Sequence, residues 1–192
     1  MSIILASASP RRRELLSLIT EDFIVLTSEV DETLPESISP KEAVMLLAEK
    51  KARAVAEQNP ESVVIGSDTV VAVDGEILGK PVDNADAASM LKKLSGRWHE
   101  VFTGVCVIKN NKATVFYDGA AVKFADMSNR EIDEYIKSGE CNDKAGAYGI
   151  QGFGARYIEG INGDYYSVMG LPVRKLYKTL NDLAISSPDN LG

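Results

Sequence analysis

The sequence contains few of the residues that usually build metal centres and disulfide frameworks. Among its 192 residues are two cysteines and one histidine. Cys106 and Cys141 have neither metal-site spacing nor a cysteine-rich context, so we interpret them as ordinary thiols of a cytoplasmic protein. The lone His99 excludes a multi-histidine zinc site. A metal would therefore need oxygen ligands, which suits Mg²⁺ or Mn²⁺.

Long apolar runs and an excess of positive charge are absent too. No stretch approaches the ~20 apolar residues of a membrane span, and the N-terminus has the wrong order and length for a signal peptide. With 21 basic and 28 acidic residues, the formal net charge is -7. This balance argues against duplex nucleic acid or an anionic membrane as the main partner. A small anionic ligand stays compatible, because it responds to local charge.

The composition that is present is that of an ordinary soluble globule, with 45% hydrophobic and 26% charged residues. The length predicts one domain over residues 1–185 and a frayed tail at 186–192. Strands are predicted at residues 3–6, 23–27, 63–66, 69–73, 99–108, 114–124, 155–161 and 165–168. Helices are predicted to begin near Ser9, Ser39, Asn84, Ser128 and Pro172, and serines at three of these places can cap them. The interleaving of helices and strands predicts an α/β fold on a mixed sheet.

Three consecutive arginines, Arg11 to Arg13, fall in the first turn of the first predicted helix. Cations at a helix N-terminus are unfavourable, by ~0.3–1 kcal/mol each when exposed. A bound anion would reverse that cost, because the strand, the loop Ser7-Ala8-Ser9 and the helix start together form a phosphate cradle. Successive helix residues point in different directions, so we expect one or two arginines to bind and the other to be solvated. The alternative is a solvated charge run paired with Glu14 or Glu21.

Two further charged residues lie where the pattern predicts burial. Lys51 follows Leu47 by four positions on the apolar stripe of the long helix, and a buried lysine needs an anionic partner. The alternative is a snorkelling side chain with its ammonium in water. Asp68 stands between two predicted buried strands, where it could bind a divalent metal or accept a proton from water. The alternative is a turn aspartate that bonds its own backbone.

Other candidates are weaker when taken singly. The pair Asp31-Glu32 is a second acidic candidate and Lys80, in a Leu-Gly-Lys-Pro loop, is a further basic one. The glycines in Gly149–Gly154 do not match the dinucleotide fingerprint, so they either admit a ligand close to the backbone or make turns.

Several long motifs carry a family resemblance from residue 5 to residue 173. They are LASASPRRRELL, VDE, EKKARAV, GSDTVV, LGKP, LSGRWHEVFTGV, DKAGAYGIQGFG and INGDYYSVMGLPV. In this order they resemble the Maf family of nucleoside triphosphate pyrophosphatases. The resemblance implies hydrolysis between the α and β phosphates of a nucleotide with a divalent cation. It also implies an elongated, ITPase-like fold with a central cleft between two lobes, often as a homodimer.

The resemblance also implies roles for individual residues. Arg11 and Arg12 match the phosphate-loop arginines, which lie beside Ser7, and Lys51 and Lys80 match two lysines that contact the triphosphate. Glu32 and Asp68 match the acidic positions expected at the metal, and Asp68 is the implied proton acceptor.

Substrate preference is implied by the stretch Ala147–Gly152, which resembles the branch that acts on dTTP and UTP. In that branch the positions of Arg11, Thr69 and Gln151 are associated with specificity. A glutamine amide offers a donor beside an acceptor and so complements uracil or thymine, although it could flip to suit cytosine. The alternatives are a 7-methyl-GTP pyrophosphatase, or a non-catalytic nucleotide-binding regulator of septum formation. Gln151 could also be a loop residue that only bonds backbone.

Overall fold

The computed structural model describes residues 2–27 and 29–183 and contains a single mixed sheet with flanking helices. Its strands are β1 (Ile3–Ala6), β2 (Phe23–Leu26), β3 (Val63–Val73), β4 (Glu76–Leu78), β5 (Trp98–Lys109), β6 (Lys112–Phe124) and β7 (Ile158–Gly163). Its α-helices are α1 (Pro10–Ser17), α2 (Pro40–Ala56), α3 (Asn84–Leu94), α4 (Asn129–Lys137), α5 (Tyr165–Met169) and α6 (Val173–Asp182). Two short 3₁₀ helices, Ala145–Ala147 and Gly152–Tyr157, lie between α4 and β7. This confirms the predicted α/β class.

The strand order is β2-β1-β3-β5-β6-β7, with β4 paired to β3. Strands β1, β2 and β3 run parallel, whereas β4 to β7 form antiparallel pairs. The predicted turn at Asp74-Gly75 joins β3 to β4, and both residues have positive φ, as a two-residue hairpin requires. Parallel and antiparallel pairing in one sheet agrees with the predicted mixed sheet.

The helix starts follow the capping signals in the sequence. Ser9 accepts a hydrogen bond from the amide of Arg12, with Pro10 as the first helical residue. Ser39 and Ser128 each form a complete capping box with the glutamate three residues later. These local hydrogen bonds satisfy amides that the first helical turn leaves free, which is why they could be read from short stretches of sequence.

The strand predicted at 155–161 begins only at Ile158, because residues 155–157 belong to the second 3₁₀ helix. Two further predictions about strands were wrong. The break expected at Ser67-Asp68 does not exist, because β5 pairs with β3 without interruption from Val64 to Ala72. The strand expected at 165–168 is the helix α5, because the Asp164 carboxylate caps its first turn and Gly170 ends it in a left-handed conformation. In both wrong predictions, polar side chains form hydrogen bonds that the local pattern does not reveal, either with residues far along the chain or in a helix cap.

A gap beside β3 creates the space for a ligand. Strand β1 pairs with β3 only as far as Gly66, and β4 joins β3 only from Val71. Strand β5 occupies the opposite edge, so residues 67–70 lack a strand neighbour on the β1 side within the described part of the chain. Because alternate residues face opposite sides of a sheet, side chains from both faces of β3 can reach this gap.

Helix α2 packs unusually close to the sheet. A Cβ atom added at Gly104 would lie 2.2 Å from the carbonyl oxygen of Val44, and one at Gly66 would lie 2.4 Å from that of Ala48. Both glycines therefore let the helix backbone approach the strands directly. This close approach fixes the height of Lys51 above Asp68, which follows Gly66 by two positions on the same face of β3.

Among the described residues, no helix is long and apolar enough to cross a membrane. The tail predicted to fray, residues 186–192, lies outside the described residues. The division of the domain into two lobes stays a prediction.

Replacing Gly104 with alanine is expected to destabilise the protein by about 1–3 kcal/mol, because the new methyl group collides with the backbone of α2. Urea unfolding measures the change. Gly160→Ala is the matched control, since its Cβ would meet only the Trp98 side chain at 3.7 Å. Equal stability of the two variants would contradict the close packing of α2 on the sheet.

Candidate active site

A cleft of about 690 Å³ lies at the gap beside β3. Its walls come from the end of β1 and the start of α1, from the middle of β3, from α2, and from the glycine-rich segment before β7. Every site residue predicted from the sequence lines it: Ser7, Arg11, Arg12, Glu32, Lys51, Asp68, Thr69, Lys80 and Gln151. Its volume is in the range of sites that enclose small molecules.

The charge of the cleft differs in sign from that of the chain. Five basic and three acidic side chains line it, although the whole chain is acidic. Arg11 and Arg12 face the cleft, whereas Arg13 is exposed and is not part of its wall. The expectation that one or two of the three arginines bind a ligand stays a prediction. A cleft of this charge favours an anionic ligand.

Lys51 joins the two predicted acidic residues. Its Nζ lies 2.5 Å from Oδ1 of Asp68 and 2.8 Å from Oε1 of Glu32. The Lys51 side chain is 19% exposed and that of Asp68 12%, so the ammonium is paired rather than snorkelling into water. The hydrogen bond from Lys51 lowers the pKa of Glu32. Asp68 lies within a continuous strand, which removes the turn-aspartate alternative.

Arg12 is held by three hydrogen bonds before any ligand binds. Its Nε donates to the carbonyl oxygen of Gly170 at 2.9 Å, Nη1 to Oγ of Ser7 at 3.3 Å, and Nη2 to Oγ1 of Thr69 at 3.1 Å. Ser67 donates to the same Gly170 carbonyl at 3.0 Å. Burial lowers the pKa of Arg12, and the nearby Asp68 carboxylate acts in the opposite direction. A guanidinium has five N–H donors, so two stay available for an anion.

Lys80 reaches the cleft from the end of β4. The amide of Gly146 donates to the carbonyl of Gly79 at 3.0 Å, which ties the first 3₁₀ helix to the residue before Lys80. Gly146 has a φ of 67°, and a Cβ there would lie 2.9 Å from Val71. The positive φ and the short distance to Val71 both require glycine at position 146. Lys80 itself is exposed, so its ammonium is free to meet a ligand.

Gln151 stands on a loop that two side chains of the α4 region clamp on either side. The amide of Gly149 donates to the Tyr135 hydroxyl at 3.1 Å. The amides of Phe153 and Gly154 donate to the two carboxylate oxygens of Glu140 at 2.9 and 3.3 Å. The Gln151 side chain is exposed in the cleft.

Sequence reasoning missed several residues that support the site, namely Ser67, Thr103, Tyr135, Glu140 and Gly170. Only Glu140 carried a usable signal, since it is a carboxylate between a helix end and a glycine-rich stretch. The others act through contacts between distant segments, which no local pattern indicates.

Tyr148 connects the cleft wall to the core. Its hydroxyl lies 2.7 Å from Nε2 of His99, and both side chains are buried. Their rings also contact Phe124 edge-on. Burial lowers the pKa of His99 to about 4, so the imidazole is neutral in the folded protein at neutral pH.

The donor set suits a hard divalent cation that is shared with a ligand. Glu32 and Asp68 both direct an oxygen at one positive charge, the Lys51 ammonium. Mg²⁺ is commonly bound by one or two carboxylates together with substrate phosphates and water. No cluster of three or more histidine, cysteine or acidic residues suited to a metal is found in the described ranges. Glu32 and Asp68 supply the one or two carboxylates that this mode of binding requires.

Comparison with known proteins gives matches over nearly the whole chain. Residues 2–183 match the family described as Maf-like protein. A dTTP/UTP pyrophosphatase of Bacillus cytotoxicus is 52% identical over 177 residues, covering 92% of this chain and 93% of that protein. A dTTP/UTP pyrophosphatase of Bacillus cereus is 50% identical over 183 residues, covering 95% and 96%. A solved HAM1 protein of Coxiella burnetii matches with a TM-score of 0.58 and 16% identity, covering 95% of this chain and 99% of that one. At this identity the similarity concerns the fold alone.

His99 is expected to make the protein less stable in acid. Its pKa falls from 6.5 to about 4 on folding, so the unfolded chain binds the proton more tightly. The contribution of neutral His99 to the free energy of unfolding is fully present above about pH 6.5. It is lost as the pH falls toward 4, by about 3 kcal/mol in total. Urea unfolding of wild type and His99→Gln between pH 7.5 and 4 measures the difference. Identical pH slopes for the two proteins would show that His99 has no part in the loss.

Proposed function

The chain belongs to the Maf family, and from that premise we propose that it is a nucleoside triphosphate pyrophosphatase acting on dTTP and UTP. It hydrolyses the bond between the α and β phosphates and gives a monophosphate and pyrophosphate. One observation carries the proposal: basic side chains from four separate segments converge with Asp68 in one cleft. The names of the relatives that are about half identical support the same substrates.

The cations of the cleft match the needs of a triphosphate. Phosphoryl transfer depends on positioning and on groups that neutralise charge as the bond breaks. Arg12, already fixed by Ser7, Thr69 and Gly170, offers its two remaining N–H groups to phosphate oxygens. Arg11 and Lys80 add positive charge from two separate segments that line the cleft.

Asp68 is the proposed proton acceptor. A water molecule attacks the α phosphorus and its proton passes to Asp68. The bond from the α phosphorus to the bridging oxygen breaks, and that oxygen leaves with pyrophosphate. Lys51 lies 2.5 Å from the Asp68 carboxylate and holds that carboxylate in place beside the phosphates. The ammonium of Lys51 or that of Lys80 screens the negative charge that pyrophosphate carries away.

Glu32 and Asp68 are the proposed protein ligands of a divalent cation, Mg²⁺ or Mn²⁺. When bound, such an ion neutralises phosphate charge and lowers the pKa of a coordinated water. The remaining ligands would be phosphate oxygens and water.

Base selection is assigned to Arg11, Thr69 and Gln151. All three line the cleft, and the Gln151 loop is held by Tyr135 and Glu140 so that the amide is presented from a defined position.

The alternative substrate is 7-methyl-GTP, and the alternative function is regulation of septum formation without turnover. A cytoplasmic location, a two-lobed domain and a homodimer belong to the proposal as expectations from the sequence.

Asp68→Asn is expected to lower pyrophosphate release from dTTP and UTP by roughly 100- to 10,000-fold, the usual contribution of a general base. Nucleotide binding, measured by calorimetry, should persist, since the cations stay in place. The assay uses a panel of nucleotides, including 7-methyl-GTP, with Mg²⁺ or Mn²⁺. Asp133→Asn, at an exposed position of α4, is the matched control. A fully active Asp68→Asn would remove the base assignment, and a wild type that binds without turnover would favour the regulator.

Arg11→Ala is expected to raise KM for dTTP and UTP by about 10- to 100-fold or to change the base preference, because it removes a charged hydrogen-bond donor from the cleft. Steady-state kinetics on the same panel measures both effects. Arg13→Ala removes the same charge from an exposed neighbour outside the cleft and should leave the kinetics unchanged. An unaltered profile for Arg11→Ala would exclude Arg11 from the site.

A further inference from the structure

The hydroxyl group of Thr69 is locked in one orientation by a buried residue outside the cleft, Thr103. Building on the proposed function, we propose that Thr103 is a positioning residue that makes Thr69 a hydrogen-bond acceptor toward the ligand. This polarity selects bases that carry an imide N–H, as uracil and thymine do, over cytosine.

The direction of each proton follows from the partners. Oγ1 of Thr103 lies 2.6 Å from the carbonyl oxygen of Ser167, and a carbonyl only accepts, so Thr103 donates its single proton there. Oγ1 of Thr69 lies 2.8 Å from Oγ1 of Thr103. Because the Thr103 proton is already committed, Thr69 must be the donor in that contact.

The other contact of Thr69 is with a group that can only donate. Nη2 of Arg12 donates to Oγ1 of Thr69 at 3.1 Å, and a guanidinium has no acceptor. A hydroxyl has one proton and two acceptor positions. The proton and one acceptor position of Thr69 are therefore used, and a single acceptor position remains for a ligand in the cleft.

The surroundings prevent Thr103 from turning away. Thr103 is fully buried on β5, and its Cα is the direct partner of the Thr69 Cα across the β3–β5 pair. The Ser167 that accepts its proton is itself fixed, because its amide and its hydroxyl both donate to the Asp164 carboxylate, at 2.7 and 2.5 Å. The hydrogen bonds thus run from Thr69 through Thr103 and Ser167 to the cap of α5, and no hydroxyl group among them is free to rotate.

An acceptor at this place distinguishes the pyrimidines. Uracil and thymine carry a proton on N3, which can be donated to Thr69. Cytosine has an unprotonated N3, so a lone pair would face the lone pair of Thr69. Gln151 does not make this distinction alone, since its exposed amide can flip to match either base. The fixed hydroxyl supplies the polarity that the amide lacks.

The test is the ratio of kcat/KM for UTP to that for CTP in Thr103→Val, which keeps the shape of the side chain and removes its hydroxyl. Freed from Thr103, the Thr69 hydroxyl can rotate and donate to cytosine. The ratio is expected to fall about tenfold, the size of one hydrogen bond gained or lost. Thr103→Ser keeps the hydroxyl group and should therefore keep the wild-type ratio. Thr114→Val makes the same change on β6 outside the cleft and should leave the ratio unchanged.

Thermal unfolding is measured alongside, because a purely structural role would lower stability without changing the ratio. If Thr103→Val does not fold, Thr69→Val is used, and the same fall in the ratio is expected. Equal loss on UTP and CTP, an unchanged ratio, or a wild type that does not discriminate between them would overturn the inference. A wild type that releases no pyrophosphate from any nucleotide would instead overturn the proposed function.

Discussion

The site depends on one ammonium group shared by two carboxylates. Lys51 is largely withdrawn from water, and so is Asp68. Taking such charges out of water is costly unless each finds a partner at short range. The triad with Glu32 meets that condition, and it does so because α2 rests on two glycines of the sheet instead of on side chains. The close helix packing and the arrangement of the candidate catalytic carboxylate are therefore one structural feature.

The arginine-rich helix start is stabilised in a related way. Three cations at the N-terminus of α1 are unfavourable in isolation. Arg12 is compensated by oxygen acceptors from three other segments, among them Gly170 at the end of α5. It enters the cleft already oriented, which reduces the ordering that a bound phosphate must cause. Arg11 keeps its charge facing the cleft and Arg13 faces solvent.

The accuracy of the predictions from sequence depended on how far apart in the chain the interacting residues lie. The serine caps at Ser9, Ser39 and Ser128 were predicted correctly, because both partners lie within one turn. The interruption expected at Ser67-Asp68 was wrong, since a buried serine and aspartate in a strand are tolerated only when distant groups bond them. Ser67 finds Gly104 and Gly170, and Asp68 finds Lys51. The strand expected at 165–168 was wrong as well, because the cap supplied by Asp164 makes the segment helical.

From the amino-acid sequence alone followed the α/β class, the starts of most helices, the inward-facing position of Lys51 and, through motifs of the family, which residues to expect in a site. Those properties come from periodicity and from contacts within a few residues. The folded structure was needed to show that the site is a gap between β1 and β4 along the open edge of β3. Only it showed that Lys51 is paired rather than solvated, and which partner receives each proton around Thr69. These are distances between segments many residues apart, and they exist only once the sheet has brought the segments together.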